Sequence, residues 1–321
     1  MTSNPLALSL ILAALVVALA LLTNARANRR AAAVEAAFPP LGQILLVDGL
    51  RVHALTMGSG PDLILIHGAS GNLRDLMPVM TGLAPTYRVT AFDRPGLGWS
   101  DPIRDSASLS AQARHLSAAA KQLGITDPIL LGQSYGGSVA LAWALDAPLK
   151  PRALVLVSSP SLPWPGPLDP WYRLTKTWIG KAVAIPLVAA YLPDSYIHGT
   201  ITGIFAPDPV PADYRALIGE GLSIRRPSLV TNTAQVNGLR DQLVAQEPRY
   251  RDLTLPIELI HGDADTIVPL TIHSGPLSAL LPQANLIVLP GTGHMPHHAH
   301  PQTIPDAIAR ADRRSAGRQA L

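Results

Sequence analysis

The sequence predicts an α/β fold on a mostly parallel sheet, and three observations lead there. Runs of strand length recur at Leu63–Ile66, Arg88–Phe92, Ile129–Leu131, Ala153–Val157, Ile257–Ile260 and Leu286–Leu289. Most are continuously apolar, as strands buried on both faces are. Helix-compatible stretches such as Ser108–Leu123 and Tyr135–Leu145 fall between them, the alternation that parallel strands with crossover helices require. Several runs then lead directly into glycine-bearing loops carrying a serine, an aspartate or a histidine. Open α/β sheets gather their working groups at such carboxyl ends of strands.

Taken in order, the first element is of another kind. Leu6–Leu22 is apolar or small throughout, interrupted only by Ser9 and free of charge. Its 17 residues would rise about 25 Å as a helix, at the short end of what crosses a bilayer. Arg26, Arg29 and Arg30 follow it, while Met1–Pro5 holds no basic side chain. A secretory signal has the opposite charge order, although Ala25-Arg26-Ala27 fits a small-x-small cleavage site. The sequence thus predicts an uncleaved single-span membrane anchor with its basic flank over 1–35. The arginines and all that follows them then stay on the cytoplasmic side. Cleavage and export form the alternative.

Ile44–Val47 and Arg51–Leu55 flank Asp48-Gly49 and predict an opening hairpin. Leu63–Ile66 leads into His67-Gly68, and Arg88–Phe92 into Asp93-Arg94-Pro95-Gly96-Leu97-Gly98-Trp99-Ser100. Pro95 and the two glycines specify a turn there, which Asp93 and Arg94 can hold by hydrogen bonds. Ile129–Leu131 leads into Gly132-Gln133-Ser134-Tyr135-Gly136-Gly137, followed at once by a helical run. A serine hydroxyl is a poor nucleophile unless held exposed beside a base, and a sharp strand-to-helix turn does this. Bulky neighbours at 132 and 136 would collide as strand and helix close up. The last two runs lead into His261-Gly262-Asp263-Ala264-Asp265 and Pro290-Gly291-Thr292-Gly293-His294.

Composition sets the bounds. About 270 residues follow the anchor, enough for one domain with a sizeable core. The net charge of +3 is small and the arginines are scattered, with a cluster only between Arg310 and Arg318. That pattern speaks against nucleic-acid binding and predicts a solvated, flexible tail at 313–321. With no cysteine, disulfides and a thiol nucleophile are excluded.

Four motifs together resemble the α/β-hydrolase fold superfamily, in its esterase and epoxide-hydrolase-like branch. They are His67-Gly68, the Asp93–Ser100 segment, the Ser134 turn, and the paired Gly262-x-x-Asp265 and Gly291-x-Gly-His294 loops, spread over roughly residues 40–310. The resemblance implies a mostly parallel eight-stranded sheet flanked by helices, with the core at 36–159 and 256–312. It also implies an inserted, mainly helical cap at 160–255, where the sequence leaves more chain than one crossover needs.

Carried over residue by residue, the resemblance makes Ser134 the nucleophile, His294 its base and Asp265 the acid that orients the imidazole. Asp263 is the rival acid, but the family's spacing from glycine favours Asp265, and Asp263 can close the turn. Some relatives place the acid after an earlier strand, where this chain has Ser158-Ser159-Pro160 and no carboxylate. The oxyanion hole falls to the backbone N–H groups of Tyr135 and Ala69, with His67 stabilising the loop. Trp164 and Trp171, near the start of the cap, are the candidate substrate-binding aromatics. Other cap aromatics (Trp178, Tyr172, Tyr191, Tyr196, Tyr214, Phe205) can equally pack the cap's own core.

His294, His297, His298 and His300 do not predict a metal site, since Pro296 and Pro301 break any helical ligand spacing. Related enzymes often have an acidic residue near 300, and His300 here puts that secondary contact in doubt. No cofactor is expected. The predicted activity is cleavage of an ester-type bond in a small hydrophobic substrate through an acyl-enzyme. Acyl transfer or carbon–carbon hydrolysis would use the same machinery, and a noncatalytic membrane-tethered binding protein is the reading from another class.

Overall fold

A computed structural model describes residues 5–319. The eight strands are β1 (Gln43–Val47), β2 (Leu50–Met57), β3 (Asp62–Ile66), β4 (Arg88–Phe92), β5 (Ile129–Gln133), β6 (Ala153–Val157), β7 (Ile257–Gly262) and β8 (Ala284–Leu289). They form one sheet in the order β1-β2-β4-β3-β5-β6-β7-β8. Only β2 runs against its neighbours; every other pairing is parallel. The opening hairpin turns on Asp48 and Gly49, both at positive φ (51° and 77°), the conformation a two-residue hairpin loop needs.

Helices α1 (Pro5–Ala37), α2 (Met77–Leu83), α3 (Leu109–Gln122) and α4 (Tyr135–Asp146) precede the cap. The cap holds α5 (Pro170–Lys176), α6 (Ile185–Tyr191), α7 (Asp194–Phe205), α8 (Tyr214–Ile218), α9 (Gly221–Ile224) and α10 (Arg226–Gln246). After it come α11 (Ser274–Leu280), α12 (Pro296–Ala299) and α13 (Thr303–Gln319). Ser108 caps α3 by accepting from the Ala111 N–H at 3.2 Å.

Alternate strand residues divide between two apolar layers, the period-2 consequence of the pleat. Ile64, Ile66, Leu130, Leu154 and Leu156 pack with Leu116, Val139 and Trp143 from α3 and α4. Leu63, Leu65, Val89, Ile129 and Val155 pack on the other side with Met80 of α2 and Ile304 and Ile308 of α13. Each such side chain contributes roughly 1.5–3 kcal/mol by leaving water. Val236, Leu239 and Leu243 of α10 join the first layer, so the cap is packed onto the core.

Two expectations change. The Leu286–Leu289 run is not a doubly buried strand: β8 is the sheet edge, paired only with β7, and Val288 is exposed. The segment 313–321 is no loose tail, for α13 remains helical to Gln319, and residues 320–321 lie outside the described residues. Arg314 and Arg310 of α13 reach the fully buried Glu258 carboxylate at 2.8 and 3.2 Å, which ties the helix to β7. The basic flank of the first helix is structured too. Arg26 and Arg30 donate to the carbonyls of Ala190 and Leu192 at 2.8 and 3.0 Å, and Glu35 pairs with Arg225 at 2.7 Å. By length and composition α1 can cross a membrane; its first half stays exposed, while Thr23 and Ala27 are buried against the cap.

Candidate active site

Ser134 sits between the last residue of β5 and the first of α4, at φ 48° and ψ −125°. This conformation costs a non-glycine residue on the order of 1–3 kcal/mol, which the surrounding structure must supply. It does so by fixing both sides of the turn: the Ser134 N–H donates to the Val157 carbonyl, and the Gly137 N–H to the Ser134 carbonyl, both at 2.8 Å. The glycines are required by contact. A Cβ at 132 would lie 2.5 Å from the Gly137 backbone, and one at 136 would strike the carbonyl of Ile66.

The loops after β7 and β8 meet this turn. His294 Nε2 lies 2.9 Å from Ser134 Oγ, and His294 Nδ1 lies 2.8 Å from Asp265 Oδ2. All three residues are buried. A carboxylate only accepts, so Nδ1 carries the ring proton and Nε2 is free to accept from the hydroxyl. The other carboxylate oxygen, Oδ1, accepts from the N–H groups of Ile267 and Val268 at 2.9 Å each. Burial alone would raise the Asp265 carboxyl, but hydrogen bonds from His261 and His294 outweigh it and hold the group well below the usual carboxylate range. Asp263 is exposed and accepts from the Gly291 N–H at 2.7 Å, closing the turn away from the imidazole.

Two contacts fix the histidine loop. Gly293 N–H donates to Asp208 of the cap at 2.7 Å, and His300 Nε2 meets the Thr292 hydroxyl at 2.8 Å. His300 thus holds the loop through Thr292.

The Tyr135 N–H is the first of α4 and so has no partner within the helix. Ala69 lies on the loop after β3, where Gly68 comes so close that a Cβ on it would sit 3.1 Å from Ser134 Cβ. Arg94 grips this loop from below. Fully buried, it donates to the carbonyls of His67 (3.0 Å) and Gly68 (2.9 Å) and to the side-chain oxygens of Gln112 (3.0 Å) and Gln235 (2.6 Å). Its guanidinium also lies 4.2 Å from the centre of the Tyr135 ring. Burial lowers Arg94 to about 10, which still leaves it charged at neutral pH. His67 accepts from the Arg94 N–H at 3.0 Å, and burial lowers it to about 4, so it serves as a neutral loop brace.

From the cap side, the Ser70 N–H donates to Asn232 Oδ1 of α10 at 2.7 Å, and Ser223 donates to the Ser70 carbonyl. Arg94 was legible as part of a turn motif, though its reach to both neighbouring segments was not. Asn232, Ser223 and Asp208 carried no sequence signal, since each works through one contact across the fold.

The two candidate cap aromatics lie apart. Trp164 packs against the main core with its ring 6.2 Å from that of His273, while Trp171 packs with Ala27, Ile185 and Leu229 between α1 and the cap. Asp75, His297 and His298 form a buried group whose donors could hold a metal ion. In the structure the Asp75 carboxylate meets the two imidazoles at 3.4 and 3.0 Å and accepts from Tyr214 at 3.0 Å. Hydrogen bonds from both histidines overcome the effect of burial and hold Asp75 below the carboxylate range. The group joins the cap to the loops on either side of Ser134.

Comparison with known proteins agrees with this architecture. A family model described as alpha/beta hydrolase family matches residues 63–307. The 2-hydroxymuconate semialdehyde hydrolase of Pseudomonas putida is 28% identical over 289 residues, covering 85% of this chain and 96% of its own. A thermophilic esterase from Thermogutta terrifontis superposes with a TM-score of 0.67 at 21% identity, covering 85% of this chain and 99% of its own. A bacterial membrane phospholipase A gives a TM-score of 0.65 at 21% identity and covers 96% of this chain and 98% of its own. That share is too large to leave the whole of α1 out. With most of its length matched by the family model and its sheet, turn and loops arranged as described, the chain belongs to the alpha/beta hydrolase family.

Proposed function

We propose that the protein is a membrane-anchored serine hydrolase that cleaves an ester-type bond of a hydrophobic substrate through an acyl-enzyme. The single observation that carries this reading is the unbroken relay from Ser134 Oγ through His294 to Asp265, at 2.9 and 2.8 Å. Ser134 Oγ attacks the ester carbonyl as its proton passes to His294 Nε2. The carbonyl oxygen becomes an oxyanion beside the N–H groups of Tyr135 and Ala69, where one such donor is worth on the order of 10²–10³ in turnover. His294 returns the proton to the departing alcohol, then takes one from the attacking water and passes it to Ser134 Oγ as the acid leaves. The chain's own groups supply every proton transfer in this sequence. The exposed apolar half of α1 supports attachment to a membrane, and the arginines that follow it support a cytoplasmic catalytic domain.

A fluorophosphonate probe tests the nucleophile. Wild-type protein should be labelled and Ser134→Ala should not; labelling that survives the substitution removes Ser134 from the role. Turnover of p-nitrophenyl esters of increasing chain length tests the substrate class, with acid and alcohol released in equal amounts in water. Protease protection in intact cells reports the side of the membrane.

A further inference from the structure

Leu174, Trp178, Ile179, Val183, Leu187 and Tyr191 of the cap all point into solvent, Trp178 with 75% of its surface exposed. They lie along α5 and the continuous helical stretch that follows to Tyr191. Val183, Leu187 and Tyr191 recur every four residues and so share one face. The opposite face is already filled, with Ile185, Ala189 and Ala190 buried against Ala27 of α1 and Leu229 of α10. The outward side chains thus leave two-fifths or more of their surface to solvent, and an apolar ridge of this extent marks a surface that meets something apolar.

The place of the ridge says what that is. Thr23 is the first residue beyond the apolar run of α1, and its hydroxyl lies 3.4 Å from that of Tyr191. Arg26 donates to the Ala190 carbonyl at 2.8 Å and lies 5.2 Å from the centre of the Tyr191 ring. One end of the ridge is thus fixed where the proposed span would leave the lipid. Between Pro170 and Leu192 the chain has Arg173, Lys176 and Lys181 and no acidic residue. Aliphatic side chains with tryptophan, tyrosine and exposed cations are the composition of an interfacial helix on anionic lipid.

We propose that this cap ridge docks on the bilayer into which α1 inserts, so that the site receives a bilayer-resident amphiphilic ester. The proposal rests on the anchored-hydrolase reading. One helix links surface and core: α5 carries Leu174 on the ridge and also Tyr172, which packs on the same apolar layer as Ala69.

The cysteine-free sequence makes the test direct, because one introduced cysteine is the sole labelling site. Full-length protein carrying an environment-sensitive fluorophore at Trp178→Cys or Leu187→Cys is reconstituted in phosphatidylcholine–phosphatidylglycerol vesicles. It is then challenged with lipid-borne and aqueous quenchers. Leu15→Cys reports the span, and Lys121→Cys, at the end of α3 away from the site, reports water. Probes at 178 and 187 should behave as the probe at 15 does. If 15 lies in lipid while 178 and 187 behave as 121, the ridge proposal fails and the anchor stands. If all four lie in water, the anchor reading itself fails. Probes shielded from both quenchers, with cross-links between copies through position 178, would make the ridge a self-interface and overturn the proposal.

Trp178→Glu with Leu187→Glu should lower hydrolysis of a vesicle-embedded ester at least about tenfold. Hydrolysis of p-nitrophenyl acetate should stay within about twofold, as for other surface changes. Equal loss on both substrates would refute it.

Discussion

Under the proposed mechanism, replacing Asp265 by asparagine tests whether this side chain sets the tautomer of His294. The substitution changes one atom, yet the structure dictates which one faces the ring. Asp265 Oδ1 accepts from the N–H groups of Ile267 and Val268 at 2.9 Å each. An amide must keep its oxygen there, because the reverse rotamer would set an NH2 group against two donors. That reversal forfeits two hydrogen bonds of about 1 kcal/mol each and leaves buried donors unsatisfied at about 1–3 kcal/mol apiece. The reversed form is disfavoured by roughly 3 kcal/mol or more, so it holds less than about one molecule in a hundred. The NH2 group then faces His294 Nδ1, which must give up its proton to accept. The imidazole proton moves to Nε2, 2.9 Å from Ser134 Oγ, where it can no longer serve as a base.

With the loss of the carboxylate that stabilises the imidazolium, kcat for Asp265→Asn should fall about 10³–10⁴-fold, near the 10⁴ known for the same change in a serine protease triad. KM, and the melting temperature within a few degrees, should be retained. The assay is p-nitrophenyl acetate turnover beside the rate of fluorophosphonate labelling, which should fall in parallel. Asp263→Asn is the matched control. Its exposed oxygen can still accept from the Gly291 N–H, so activity should change less than about threefold. An Asp265→Asn variant within about tenfold of wild type, or an equally damaged Asp263→Asn, would refute the tautomer argument.

Four further outcomes follow from the structure. Arg94→Met strips a charged donor from four oxygens and should cost about 3–5 kcal/mol by urea unfolding; an unchanged midpoint would contradict it. Arg94→Lys keeps the charge but not the fork, so kcat should fall about 10- to 100-fold with KM nearly constant, and full activity would deny Arg94 its positioning role. Asn232→Leu leaves the Ser70 N–H unpaired beside Ala69, so kcat should drop about tenfold without loss of cap folding by circular dichroism; wild-type kcat would show that α10 does not position the loop. Acid should destabilise the fold before carboxylates titrate. Burial lowers both His67 and His273 to about 4, below the 6.5 of an unfolded histidine, so the folded state excludes a proton that the unfolded state binds. Their contribution is complete above pH 6.5 and is lost as pH falls toward 4, by about 2 kcal/mol per histidine at pH 5. Urea midpoints at pH 7.5 and 5.0 measure this, and a higher midpoint at pH 5.0 would reverse the sign.

The parts of the molecule legible in the sequence are those whose cause is local. Strands buried on both faces need continuous apolar runs, so β3, β5 and β6 could be read directly, while β7 carries Glu258 inside its run. The serine turn was legible because Gly132 is required by backbone contacts within a few residues, whereas Gly136 is required by the Ile66 carbonyl across the sheet. Between Asp263 and Asp265 only the family resemblance chose, and the structure sets Asp265 against His294 and Asp263 against the Gly291 N–H. β8 misled because edge position is a property of the whole sheet and not of Leu286–Leu289. The C-terminal arginines misled for a related reason: Glu258, more than fifty residues earlier, turns two of them into structural partners.

The residues that escaped reading share one property, and it bears on how the site must work. Ser70 meets Asn232 and Ser223, Asn72 donates to the Ile218 carbonyl at 2.9 Å, Asp75 accepts from Tyr214, and Gly293 donates to Asp208. In each pair one partner belongs to the cap and the other to a loop beside Ser134. A cap that only covered the site would meet it through apolar contacts and could move without altering backbone positions. Here the cap supplies hydrogen bonds that the loops would otherwise lack, and buried donors left unpaired cost about 1–3 kcal/mol each. Deleting the cap should therefore disorder the Ala69 and His294 loops, and not simply open them to solvent. A cap-deleted protein that still turned over p-nitrophenyl acetate at the wild-type rate would show that the β-sheet loops hold their geometry alone.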